Sequence, residues 1–276
     1  MNSGSCNNRE MRITLLAVVL TIPIAAQWVK LPTPGVPRDA DGSPNLTAPA
    51  PKTADGKPDF SGMWVPRAER PCDPNNLVGC AELPVSRQAV NFAMDLKEGL
   101  PYQPWAAEIV KRREKEAAYT DPHVRCMPPN FPRAWALPET QKIFQLPGQL
   151  VILHEWNASY RQVFFDGRKL PDEMTPHHNG YSVAHWEGDA LVVESAGYHD
   201  DSWLDTRGDF LGAEARVTER IRRPNFGTLD VDVTVNDPKT FTAPWTVTAH
   251  LRAVVDTEML DLMCQEGEVD AARMKP

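Results

Sequence analysis

The stretch "LDVDVTV", residues 229–235, decides the fold class. Leu229, Val231, Val233 and Val235 alternate strictly with Asp230, Asp232 and Thr234, a period of two that sets one face against a core and the other in water. That is a half-buried β-strand. "WTVTAHLRAVV" at 245–255 repeats the pattern with Trp245, Val247, Ala249, Leu251, Ala253 and Val255 inward, so His250 faces outward and loses standing as a ligand. Towards the N-terminus, "HWEGDALVV" reads as a hairpin turning at Gly188 and Asp189. Further strands are expected at 60–65, 149–156, 160–166, 215–222 and 260–265. So many short antiparallel strands predict a mainly β fold, a lipocalin-like antiparallel barrel, with a β-sandwich as the alternative.

Composition agrees with one main domain. A chain of 276 residues with 42% hydrophobic content and eight Trp is neither disordered nor, at 16 Gly against 26 Pro, collagen-like. Pro at nearly double average usage predicts long irregular straps. A net charge of -8 argues against nucleic acid and anionic lipid as partners, since both need a cationic face.

Arg9 and Arg12 precede the apolar run 13–26, which ends in small residues before Gln27, the pattern of an export signal. The run is too short to cross roughly 30 Å of hydrocarbon, so cleavage near Ala26 is expected over a retained anchor, with no membrane span in the mature chain. The chain is then periplasmic or secreted. Cys6 is lost with the signal, leaving Cys72, Cys80, Cys126 and Cys264. An even number in an oxidising compartment predicts disulfides, and of three pairings Cys72–Cys80 across a turn-rich loop and Cys126–Cys264 across a long one are preferred.

The remaining organisation is a Pro-rich extended arm at 27–59, in which "ADGSPNLTAPAPK" is echoed by "ADGKPDFSGMW", and a single barrel domain at 60–270. A helical insertion is expected at 86–119, made of two short helices at 86–99 and 104–119, the second opening on Pro104 at a natural first-turn position. Residues 121–138, "DPHVRCMPPNFPRAWALP", have neither period and predict a strap that covers something.

Two polar misfits mark candidate chemistry. In "ILHEWNASYRQVFFDGR" a three-residue turn at 157–159 sets Glu155 opposite Arg161 on an inward face, and a two-residue turn sets Glu155 opposite Gln162 without a charge partner. The ion-paired register is preferred. In "ARVTERIRR" Glu219 shares the inward face with Ala215, Val217 and Ile221. Two inward carboxylates and one guanidinium predict a lumen that is wet or ligand-filled at that level, or else a structural network that fixes register. If it is a site, the two carboxylates and Arg161 can split their pKa values and perform acid–base work.

The second concentration is in the loops "TPHHNGYSVAHWEGD" and "GYHDDSWLDTRGD". His177, His178, His199, Asp200, Asp201 and Asp205 flank one hairpin and are expected near one barrel mouth, where a His beside an Asp serves as a general base. The candidate acid–base groups are thus Glu219, Glu155, His199, Asp200 and Asp205. Tyr160, Arg161, His177, His178, His185 and Trp203 are the candidates for binding. His177, His178 and His199 also form a minor divalent-metal candidate, weakened by the lack of any standard ligand spacing. The facing of His154 and His185 depends on register. No GxSxG elbow, phosphate loop or dinucleotide fingerprint is present, so no organic cofactor is expected.

The segments "PDFSGMW", "YRQVFFDGR", "GYSVAHWEGDALVVESAGYHDDSWLD", "ARVTERIRR" and "VNDPKTF" resemble a large set of exported bacterial proteins, abundant in soil groups and known mostly as hypothetical proteins. The likeness spans most of the mature chain. It implies export and carries over no activity, cofactor or substrate. It also implies a shared framework of Tyr160, Arg161, Asp166, Trp186, Trp203, Asp205, Glu219 and Arg220, with His177, His178 and His199 varying among members.

The sequence therefore leads to a small-molecule-binding barrel with a polar-lined pocket, leaning to cofactor-free acid–base chemistry of the lyase, isomerase or hydrolase type. A non-catalytic ligand carrier and a structural envelope protein, with the arm as an oligomer contact, stand as alternatives.

Overall fold

The computed structural model describes residues 31–67 and 86–266. Nine strands close a barrel: β1 (Gly62–Pro66), β2 (Gln141–Leu146), β3 (Gln149–His154), β4 (Ser159–Phe164), β5 (Tyr181–Glu187), β6 (Ala190–Ala196), β9 (Arg216–Asn225), β10 (Thr228–Asn236) and β11 (Trp245–Val254). A two-stranded flap, β7 (Ser202–Trp203) with β8 (Phe210–Leu211), is inserted between β6 and β9. Around the ring the order is β1, β11, β10, β9, β6, β5, β4, β3, β2. A ring of strands alternating in direction needs an even number of members, so nine strands force one parallel junction. It falls between β4 and β5, which pair only through Phe164 and Val183, while every other pairing is antiparallel.

The alternation of β10 and β11 is realised as read: Leu229, Val231, Val233, Val235, Trp245, Val247, Ala249, Leu251 and Ala253 are buried, and His250 lies outside against Asp230 at 2.6 Å. The β5–β6 hairpin turns at Gly188 and Asp189. Three expectations are corrected. Residues 260–265 form no strand but one bridge, Trp156 to Leu262. Residues 86–99 make a 3-10 turn at Arg87–Ala89, capped by Ser86, and then separate turns such as Met94 to Asn91 and Leu96 to Ala93 in place of one continuous helix. The β3–β4 connection takes four residues, with Asn157 and Ala158 at positive φ, and pairs Ile152 with Arg161 and Leu153 with Tyr160. That register turns Leu150, Ile152 and His154 inward and sends Glu155 into the loop, because a one-residue slip reverses a strand's faces.

α1 (Pro104–Arg113) opens on Pro104 and ends on Lys111, Arg112 and Arg113, which suit the negative helix terminus, and a further turn follows in α2 (Ala117–Thr120). The strap beyond it fills the barrel. Phe131, Ala134, Trp135 and Ala136 are buried in one cluster with Trp64, Ile143, Leu150, Ile152, Val193 and Val217, and Leu137 is buried beside them in the chain.

The arm folds back on its own barrel rather than extending. Its echoed sequence gives two equivalent loops, bridged at Arg38 to Pro44 and Lys52 to Pro58, in which Gly42 and Gly56 take φ of 84° and 80° that an L side chain rarely adopts. Arg38 pairs with Asp256 at 2.5 Å, and Gly227 donates to the Leu46 carbonyl at 2.7 Å. Cys126 and Cys264 form the expected disulfide; Cys72 and Cys80 lie outside the described residues. Among the described residues no helix is long and apolar enough to cross a membrane.

Candidate functional site

Arg161 and Glu219 do meet inside the barrel, where both are buried. Arg161 Nη1 donates to Glu219 Oε1 at 3.0 Å and Nη2 bonds Oε2, while Trp135 Nε1 donates to Oε1 at 2.5 Å. The same guanidinium reaches Ser195 Oγ at 2.9 Å and Ser182 Oγ at 3.2 Å, the two hydroxyls lie 2.9 Å apart, and the Phe131 ring covers the cation at 4.7 Å. Burial works against the charge on Arg161, but Glu219 outweighs it and holds the guanidinium above its ordinary pKa. Tyr198, fully buried alongside, is pushed up by desolvation, offset in part by Arg161. The network joins β4, β5, β6 and β9, spanning the parallel junction where backbone pairing is thinnest. Glu219 is 0% exposed and both its oxygens are engaged by Arg161 and Trp135, the arrangement of the register-fixing network that was the alternative to a site.

Several other candidates also part from the expected pocket. Glu155 accepts from the Thr140 amide at 2.8 Å outside the barrel. His185 faces solvent beside Glu187 at 3.2 Å, because β5 turns Ser182 and Ala184 inward instead. Asp205 is wholly buried under the flap, its oxygens taken by the Phe92 and Arg207 amides, each at 2.9 Å. Asp200 is exposed. Tyr160 and His177 line a groove of about 410 Å³ at the β4–β5 seam, and Arg161 and Ser182 reach it too, so three of the expected binding residues do meet there, away from His178, His199 and Trp203. Among the described residues no group of three or more His, Cys, Asp or Glu is placed to hold a metal ion, and His177 turns to the Pro176 carbonyl instead of towards His178.

His178, His199 and Trp203 do converge. The 177 and 198 segments bridge, and the three side chains share a cavity of about 150 Å³ beneath the strap with His123, Asn130 and Arg133. His178 Nε2 sits 2.5 Å from the Pro128 carbonyl, and burial, with His199 adding to it, lowers its pKa. Arg133 is tied to Asp121 by two bonds of 2.7 and 2.6 Å, both buried. Asn130 Nδ2 donates to the Trp203 carbonyl at 3.1 Å, which places the flap against the strap.

What sets this cavity apart is unfilled hydrogen-bonding capacity. His123 Nδ1, Asn130 Oδ1 and Arg133 Nε are buried without a partner, and all three belong to side chains lining it. Native interiors leave few such atoms, so their gathering here is informative. His123 Nε2 lies 3.5 Å from Glu139 Oε1, and the imidazole packs, tilted by 32°, against Trp156 with ring centres 4.2 Å apart. Burial raises the Glu139 pKa, but the hydrogen bond and charge of His123 and then the charge of His154 leave it lowered overall. His154, almost fully buried, is lowered to about 4 by desolvation. Glu139 Oε2, Gln141 Oε1, His154 Nε2 and Trp156 Nε1 are unpartnered too, so the polar shell continues behind His123. The disulfide pins this strap: Asn157 bonds the Cys126 carbonyl and accepts from the Cys264 amide at 2.9 Å.

Sequence reasoning missed His123, Asn130, Arg133 and Glu139. Their one signal was position, on the strap beside Cys126. The chain matches no protein-family model, no curated protein and no solved structure.

Proposed function

We propose that this protein is an exported barrel that binds a small polar organic molecule beneath its strap and moves a proton on it without an organic cofactor. The observation that carries the reading is the His123–Glu139 pair at 3.5 Å with Nδ1 of His123 buried and unpartnered on a polar cavity. An imidazole donating Nε2–H to a carboxylate keeps a lone pair on Nδ1, the arrangement a general base needs. Arg133, whose terminal nitrogens are held by Asp121, offers Nε–H to a carbonyl or carboxylate oxygen, and Asn130 Oδ1 accepts from a hydroxyl or amide. His178 supplies a second proton-exchanging group. A cavity near 150 Å³ is the size that holds a single benzene-sized guest. The apolar run after Arg9 and Arg12, and the Cys126–Cys264 bridge, support work in an oxidising compartment.

The test is a set of ring-sized hydroxy and keto acids in D2O, followed by NMR. Saturation transfer reports binding, and loss of a carbon-bound proton signal reports abstraction. Binding with exchange that disappears in His123→Gln supports the reading. Binding without exchange transfers the cavity to the carrier role, and binding indifferent to His123→Gln and Trp203→Ala removes the cavity from consideration.

A further inference from the structure

A second cavity, of about 400 Å³, lies at the other end of the barrel, between the arm and the strand ends. Gln141 at the start of β2 bonds the strap, whereas Gln145 near its finish bonds the arm through Phe60 and Pro58 at 2.9 and 3.1 Å. Val36, Met63, Trp64 and Val255 give this cavity an apolar wall, and Arg223 gives it a guanidinium. We propose that it is a site for a small organic anion with an apolar body, such as a medium-chain carboxylate.

Arg223 is 6% exposed, yet no ion pair among the described residues involves it. Its bonds go to neutral carbonyls: Nε and Nη2 to Phe226 at 3.2 and 2.7 Å, Nη1 to Ser61 at 3.2 Å and to Asp59. Five N–H groups against four bonds leave one Nη2 hydrogen free. The rings of Trp64 and Phe226 lie 4.8 and 5.0 Å from the guanidinium carbon. Burial lowers the Arg223 pKa to about 10, and Asp59 opposes this only in part, so the group stays cationic at neutral pH with its charge incompletely balanced. Asp59 shares the cavity wall but makes no ion pair with Arg223, its Oδ1 accepting from the Ser61 amide at 2.8 Å, and Lys142 and Glu258 on the same wall pair with each other at 3.2 Å. A buried cation short of a counter-ion beside apolar surface favours a guest that brings both parts.

The probe is octanoate, with octanol and octylamine as controls, titrated into the exported, 15N-labelled protein. Saturable binding that shifts the Trp64 indole and Arg223 Nε–H signals is expected, with octanol at least tenfold weaker and octylamine silent. Thr257→Trp, which fills the cavity and leaves Arg223 in place, is expected to weaken octanoate at least tenfold. Arg223→Gln, checked for folding by circular dichroism, is expected to erase the preference for octanoate over octanol. Equal affinity for octanoate and octanol, no saturable binding, no effect of Thr257→Trp, or shifts at His178 and Trp203 in place of Trp64 would each overturn the proposal.

Discussion

Removing the Asp209 carboxylate is expected to flatten the fall of stability with pH above 6.5. Asp205 is 0% exposed, and burial first, then the neighbouring Asp209 charge, raises its pKa from 3.8 to about 8. The folded state therefore binds a proton that the unfolded chain has released, and stability is lost as pH climbs towards 8. His154 acts in the opposite sense. Its pKa falls from 6.5 to about 4, so the unfolded chain binds the extra proton and stability is gained as pH rises from 4 to 6.5. The two slopes oppose each other below 6.5, which predicts a plateau, and Asp205 acts without that counterweight above it. At about 1.4 kcal/mol per pH unit, the loss between pH 6.5 and 8 reaches about 2 kcal/mol. Asp209→Asn keeps an oxygen for the Tyr102 hydroxyl, which donates to Asp209 at 3.0 Å, while deleting the charge. Urea unfolding at pH 6.5, 7.2 and 8.0 is expected to show the variant losing about half as much stability as the parent, with unchanged m values. A parent whose stability is flat or rising over that window, or a variant with the parent's slope, would refute the reasoning.

His154→Leu is expected to expose the Asp205 limb below pH 6.5, turning the plateau between pH 4 and 6.5 into a decline, read by the same urea series. Glu219→Gln is expected to cost about 3–5 kcal/mol by leaving Arg161 buried without its counter-charge, and Arg161→Met with Glu219→Leu to recover part of it, as denaturant midpoints will show. Cys126→Ser with Cys264→Ser opens a loop with a sequence separation of 138 and is expected to lower stability by about 2–4 kcal/mol. Hydrogen exchange should rise along the strap, from His123 to Glu139, in that pair of substitutions more than in the arm.

The barrel was legible because alternation survives wherever one strand face is buried against many neighbours, as in β10 and β11. It failed where the turn fixes the register. Nothing in "EWNAS" announces that Asn157 and Ala158 both take positive φ, and a three-residue turn moved Glu155 onto the wrong face. Glu219 was placed inward correctly and a register-fixing network was one of its two readings, yet its Trp135 partner was not legible, because the strap that supplies it has no period to read. His178, His199 and Trp203 were legible as a group because their loops flank one hairpin. His123 and Glu139 were not, since they reach the same place through an irregular segment whose path depends on tertiary contacts. The opposite error befell Asp205, an acidic loop residue whose burial is set by distant Phe92.

The odd strand number connects these observations. A closed ring of nine cannot alternate throughout, and the junction that breaks the alternation has one pair of aligned residues to hold it. Arg161, Ser182, Ser195 and Glu219 run across that junction from inside, so the polar group that looked most like chemistry is placed where the wall lacks backbone bonds. A stapled wall needs dry surroundings to be strong, and Trp135 and Phe131 provide them, which obliges the strap to enter the barrel and fixes its preceding segment at the rim. That segment carries His123, Asn130 and Arg133, whose unpartnered atoms then face the flap and the His178 loop rather than the lumen. The ligand site proposed for this protein thus lies beside the plug, at the rim, where the strap enters a barrel interior already committed to closing the ring.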